Sequence, residues 1–169
     1  FIILDILTIS QRMTKNLQIY RSSAGSGKTY TLALNFIALA LKGNSFGHKN
    51  YYRNILAITF TNKAASEMKF RVLEYLEVLS NEQDKDGILN WLVNQTKYHP
   101  NKIYTRAKQV HTNLLHNYAD LSISTIDKFT YRVVRTFAIE LGLGHNFDLE
   151  MDNSKIIQPV VALLLSKIS

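Results

Sequence analysis

The sequence predicts an α/β fold: a parallel sheet that carries a phosphate-binding loop and is interrupted by a helical insertion. Three observations predict it. Gln18-Ile-Tyr-Arg-Ser-Ser-Ala-Gly-Ser-Gly-Lys-Thr29 runs from a strand-like segment through a glycine turn into the start of a helix. Asn54-Ile-Leu-Ala-Ile-Thr59 is a continuous apolar run of strand length, followed at once by a helical pattern. Leu121-Ser-Ile-Ser-Thr125 is a short alternating strand, and a helix follows from Ile126. Strand–helix–strand–helix order implies right-handed crossovers between parallel strands.

Composition narrows the function classes. A chain of 169 residues, 46% hydrophobic and 20% charged, is one domain's worth and able to bury a core. The net charge of +7 points to a polyanionic partner, nucleic acid first. With no cysteine, disulfides, thiolate metal sites and cysteine nucleophiles are excluded, and a reducing cytoplasm is the expected location. The five histidines show no metal-ligand spacing. The apolar segment Phe1–Ile9 carries Asp5, is too short to span a bilayer and lacks a basic flank, so no membrane association is expected. Met13 is a candidate natural start.

The elements follow in order. Residues 1–12 form a leading segment of open status, and 13–80 the first part of the α/β domain. Ile19 and Tyr20 suit a buried strand, and Thr31–Leu41 suits a helix buried nearly all round. A glycine- and asparagine-rich loop covers 42–50. The helix after Thr59 has Asn62 as its expected N-cap and Ala65, Met68, Val72, Leu76 and Leu79 as its apolar stripe. Residues 81–118 read as the insertion: an acidic turn at 81–87, then helices over 88–96 and 102–118, separated by His99-Pro100. Residues 119–150 continue the α/β domain, with a helix over 126–141 closed by Gly142 and a short strand at 147–151. Residues 151–169 begin a further helical region. Its apolar helix over 154–168 is interrupted by Pro159, and its bare end suggests truncation.

The glycine loop is suited to a nucleoside triphosphate. Gly25 and Gly27 let the backbone approach a polyphosphate, and Ser22, Ser23, Ala24 and Ser26 complete the cradle. Ser22 stands where the common pattern has glycine, a small-for-small exchange at the strand end. The helix opening at Lys28 adds its positive dipole end. Lys28 can reach the β- and γ-phosphates of ATP, and the Thr29 hydroxyl can ligate Mg²⁺.

The stretch Ile58-Thr-Phe-Thr-Asn-Lys-Ala-Ala-Ser-Glu-Met68 discriminates further. It resembles motif Ia of the UvrD/Rep-type superfamily 1 helicases, Ser-Ala-Gly-Ser-Gly-Lys-Thr29 is similar to their motif I, and Ser124-Thr-Ile-Asp-Lys-Phe129 to a later motif. The Ser-Ser-Ala-Gly-Ser-Gly-Lys-Thr-Tyr-Thr-Leu form is most similar to the RecB/AddA branch of exonuclease–helicase subunits. The resemblance implies a RecA-like P-loop NTPase fold, Mg-ATP hydrolysis coupled to translocation on single-stranded DNA and to duplex unwinding in repair, and a partner nuclease or helicase subunit. It implies DNA contacts at Thr59, Phe60, Thr61, Asn62, Thr125 and Lys128, and a place near the adenine for Tyr30. Asp127 stands where relatives usually carry His; an acid there is unhelpful beside DNA and is expected to cap the helix.

The residues themselves leave alternatives open. Phe60 is either a core aromatic or a platform for a base, and the resemblance selects the platform. On the helix from Ile126, Lys128, Arg132 and Arg135 form either a solvated face or a phosphate strip, opposite an apolar face of Phe129, Val133, Phe137 and Leu141 expected in the core. Lys97, Lys102, Arg106 and Lys108 are either a solvated helix face or an electrostatic guide for DNA. No Asp-Glu pair follows an apolar strand after Thr125, so the 169 residues alone are expected to bind nucleotide weakly and not to turn ATP over. Two other readings remain: a P-loop NTPase of another class, or a DNA-binding module with a vestigial nucleotide site.

Overall fold

The computed structural model describes residues 2–5, 27–43, 50–143 and 153–167. The phosphate-loop segment 18–26 and the expected strand at 147–151 lie outside the described residues. By internal packing the chain divides into Phe1–Asp127 and Lys128–Ser169.

In the first unit a small sheet is ordered β1 (Ile2–Asp5), β2 (Ile55–Thr59), β3 (Ile123–Thr125). β2 and β3 are parallel, with Thr59 opposite Thr125. β1 is antiparallel to β2, with Ile2 opposite Ile58 and Asp5 opposite Ile55. The sheet is therefore mixed, a correction to the all-parallel expectation. The leading segment, an apolar run of strand length, supplies the antiparallel edge.

Side-chain alternation along the strands decides which residues meet the helices. Ile55, Ala57 and Ile123 join the core with α1 (Lys28–Gly43), α2 (Asn62–Ser80), α3 (Ile88–Thr96) and α4 (Pro100–His116). α1 is buried almost all round through Ala33, Leu34, Phe36, Ile37, Ala40 and Leu41. The predicted stripe of α2 is buried in full, and Tyr75 joins it. α3 starts after Gly87 (φ 71°) and stops at Lys97 (φ 60°), a left-handed residue that ends the helical path. α4 begins at Pro100, two residues earlier than the periodicity predicts. Proline in the first helical position loses no bond, because its N–H would be unpaired there anyway. Ile103, Ala107, Val110 and Leu114 turn α4 onto α1, α2 and α3, so the insertion shares the core of the α/β elements.

Across the boundary between the two units runs α5 (Ile126–Thr136), and in the second lies α6 (Asn153–Ser166) with Pro159 inside it. α5 stops five residues short of the predicted Leu141. Beyond it, Gly142 (φ 70°) donates to Ile139 O at 3.0 Å and Leu143 N to Ala138 O at 2.8 Å, the paired bonds of a glycine helix stop. No residue of α5 is buried, with Val133 and Phe137 exposed, which corrects the expectation of a core-facing stripe. Periodicity shows that a face is apolar; it does not say what covers it.

Candidate nucleotide and nucleic-acid site

Of the phosphate-loop candidates, Gly27, Lys28, Thr29 and Tyr30 are described; Ser22, Ser23, Ala24, Gly25 and Ser26 lie outside. Gly27 adopts φ +75°, a conformation that side-chain-bearing residues rarely take. The first helical bond runs from Thr31 N to Gly27 O at 2.9 Å, so the Lys28, Thr29 and Tyr30 N–H groups precede the ladder. The first turn of α1 holds no acidic residue. A helix start with its dipole end, a lysine and no acid in its first turn has the chemistry of an anion site and fits a polyphosphate. Thr29 offers one hydroxyl, a fitting but single oxygen ligand for Mg²⁺.

Tyr30, expected near the adenine, stands in the first turn of α1. Its ring meets Tyr75 of α2 edge-on, with centroids 5.9 Å apart, and packs against the core. Burial is the main cause holding its hydroxyl above the ordinary 10.0, with smaller contributions from Tyr75, Asp86 and Asp84. Next to Tyr75 along α2, Glu74 accepts a hydrogen bond from Lys85 at 2.5 Å, which raises the Lys85 pKa.

The turn from β2 into α2 builds the second cluster. Thr61, not Asn62, is the N-cap: it is extended (φ −120°, ψ 149°) and its side chain accepts from Ala64 N at 3.1 Å. Thr59 Oγ1 donates to Thr61 O at 3.1 Å and fastens the turn. Held this way, Phe60 is 74% exposed, with Asn62 exposed beside it. A large aromatic kept out of the core by a fastened turn is an open face for a flat ligand. Thr59 and Thr125 share the parity of Ile55, Ala57 and Ile123 and are 1% and 4% exposed. Their side chains face the helices, so the exposed part of the predicted set here is Phe60, Thr61 and Asn62. Lys63, within the same motif stretch, is exposed in an acid-free first turn of α2.

In α5, Asp127 occupies the first turn, where a carboxylate complements the helix dipole, rather than the cap position itself. Lys128, Arg132 and Arg135 are exposed. Lys128 falls in the second unit, and the Phe60 turn in the first. The Tyr30 contact ties the start of α1 to the carboxyl-terminal half of α2, whereas Phe60 precedes the amino end of α2. Tyr75 stands thirteen positions after Asn62 on α2, roughly 20 Å of helix. α2 thus carries a contact of each cluster, Tyr75 against Tyr30 and the capped turn at its amino end. Among the described residues, no group of three His, Asp or Glu is placed to hold a metal, and no helix is long and apolar enough to cross a membrane.

Comparison with known proteins decides the family. Residues 7–168 match the UvrD/REP helicase N-terminal domain. The chain belongs to this family. It is 29% identical over 156 residues to the RecBCD enzyme subunit RecB of Haemophilus influenzae, covering 83% of this chain and 12% of that protein. It is 32% identical over 149 residues to an ATP-dependent helicase/nuclease subunit of Listeria welshimeri, covering 86% of the chain and 10% of the relative. A probable DNA helicase II homolog of Mycoplasma pneumoniae is 46% identical over 63 residues, 37% of the chain and 8% of the relative. The chain therefore spans about a tenth of the length of the curated relatives it matches.

Proposed function

We propose that this chain is the ATP-binding part of an ATP-dependent DNA helicase of the RecB/AddA type, with a RecA-like fold, acting in the cytoplasm in DNA repair and recombination. The observation that carries the reading is the pairing of two features in one family member: an acid-free, lysine-headed helix start after Gly27, and an aromatic held exposed by a capped turn at Phe60. Lys28 and the loop N–H groups hold the triphosphate and oppose charge on its terminal phosphate; Thr29 offers its hydroxyl to Mg²⁺. Bound Mg-ATP supplies the phosphoanhydride whose cleavage drives the motor. Phe60 stacks on an unpaired base, while Thr61, Asn62 and Lys63 lie beside the backbone phosphates. Thr59 and Thr125 act from beneath, holding the strand ends that carry the turn and the start of α5. The proposed partners are single-stranded and duplex DNA and, by likeness to the relatives, a further component of a nuclease–helicase complex.

The test is ATP hydrolysis by a chain of the relatives' length, measured with and without single-stranded DNA. The reading predicts turnover that DNA stimulates and that Lys28→Ala abolishes. Turnover indifferent to DNA contradicts it and favours a P-loop enzyme of another class.

A further inference from the structure

We propose that the outward face of α4 is a second nucleic-acid surface, one that holds the phosphodiester backbone without reading bases; it rests on the DNA-motor reading above. Between Asp86 and Asp120 the chain carries no carboxylate side chain, yet it carries Lys97, Lys102, Arg106 and Lys108. The acids of this unit stand at other positions: Asp5, Glu67, Glu74 and Glu77 of α2, Glu82, Asp84 and Asp86 of the 81–87 turn, Asp120 and Asp127. α4 itself therefore carries lysine and arginine and no carboxylate side chain.

α4 presents Lys102, Thr105, Lys108, Gln109, Thr112 and His116 to solvent. Helical spacing puts them along one face, and part of it lines an open depression with Thr105, Lys108, Gln109, Thr112 and Asn113. Two of these donors are already committed. The Thr105 hydroxyl donates to Asn101 O at 2.8 Å, and the Asn113 amide donates to the Asn50 side chain at 2.9 Å. Lys108, Gln109 and Thr112 remain as outward donors of the types that contact phosphate oxygens.

The cations are held in place. Lys102 Nζ lies 4.1 Å and Arg106 Cζ 4.6 Å from the Tyr98 ring centroid, and Arg106 donates to Leu41 O at 2.6 Å, at the end of α1. Lys102 and Lys108 are separated by about 9 Å of rise and about 120° of rotation, so they flank the two edges of this face. Tyr98 and Tyr104 pack against the core and offer no stacking platform. The surface therefore suits a backbone and discriminates no base. Leu115 is exposed beside these donors, and a single leucine lacks the aromatic centre that a protein partner would need.

The test is anisotropy of labelled single-stranded and duplex oligonucleotides with the 169-residue chain between about 50 and 200 mM salt. Lys102→Gln/Lys108→Gln is compared with Arg71→Gln/Lys85→Gln, which removes the same charge from α2 and the 81–87 turn. The α4 pair is expected to weaken binding several-fold. It should also flatten the salt slope, by about 1.8 for duplex or 1.4 for single strand, and the form more affected is the one held. The control pair should change neither. Equal losses from both pairs would mean net charge alone and overturn the proposal. No loss from the α4 pair while Phe60→Ala weakens binding would overturn it and leave the motor reading standing. Absence of DNA binding by the unsubstituted chain would also overturn it, and the ATPase test would still decide the motor reading.

Discussion

Phe60 concentrates the residue-scale argument, because its 74% exposure means that replacing it removes a surface and not a core contact. Phe60→Ala should leave thermal stability within about 0.5 kcal/mol of the unsubstituted chain. It should weaken single-stranded DNA binding by about 1–3 kcal/mol, read by anisotropy. Loss of both would show a packing role instead. Tyr30 behaves in the opposite way. Burial raises its pKa above 10.0, so the folded chain holds that proton more tightly than the unfolded chain does. The resulting stability is complete below pH 10 and is lost as pH rises through the raised folded value. Tyr30→Phe should therefore flatten the fall of Tm above about pH 10. Lys85, raised by Glu74, has the same sign and leaves some alkaline dependence behind. An unchanged fall in Tyr30→Phe would contradict the assigned burial.

At the scale of elements, α2 carries a contact of each cluster and its start is set by one cap. Thr61→Ala removes the acceptor for Ala64 N and should cost about 1 kcal/mol in denaturant unfolding. A negligible change would return the cap to Asn62. The end of α1 is equally specified. A Cβ on Gly43 would overlap the ring of Tyr51, itself only 4% exposed and unable to swing away. Gly43→Ala should thus cost about 1–3 kcal/mol through overpacking. The stripe of α2 and the burial of α1 were legible because helical period maps directly onto a face. The burial of Thr59 and Thr125 was legible too, because they share strand parity with the core residues Ile55, Ala57 and Ile123. β1 was not legible as a sheet strand: its partner is fifty residues away in sequence, and no local signal names a distant edge.

At the scale of the molecule, charge and family agree: a chain of net charge +7 belongs to the UvrD/REP helicase N-terminal domain family and keeps its acids off α4. The α/β class was readable from the order of elements, and β2 and β3 are parallel as that order requires. The exposure of Val133 and Phe137 was not readable, because an amphipathic pattern specifies a face and leaves its cover unstated. The central claim, a working triphosphate site at the start of α1, is tested most directly by titrating the 169-residue chain with a fluorescent ATP analogue and Mg²⁺ beside Lys28→Ala, with circular dichroism to show that both are folded. The account predicts weak binding that Lys28→Ala abolishes. Equal binding by the two folded chains would contradict it.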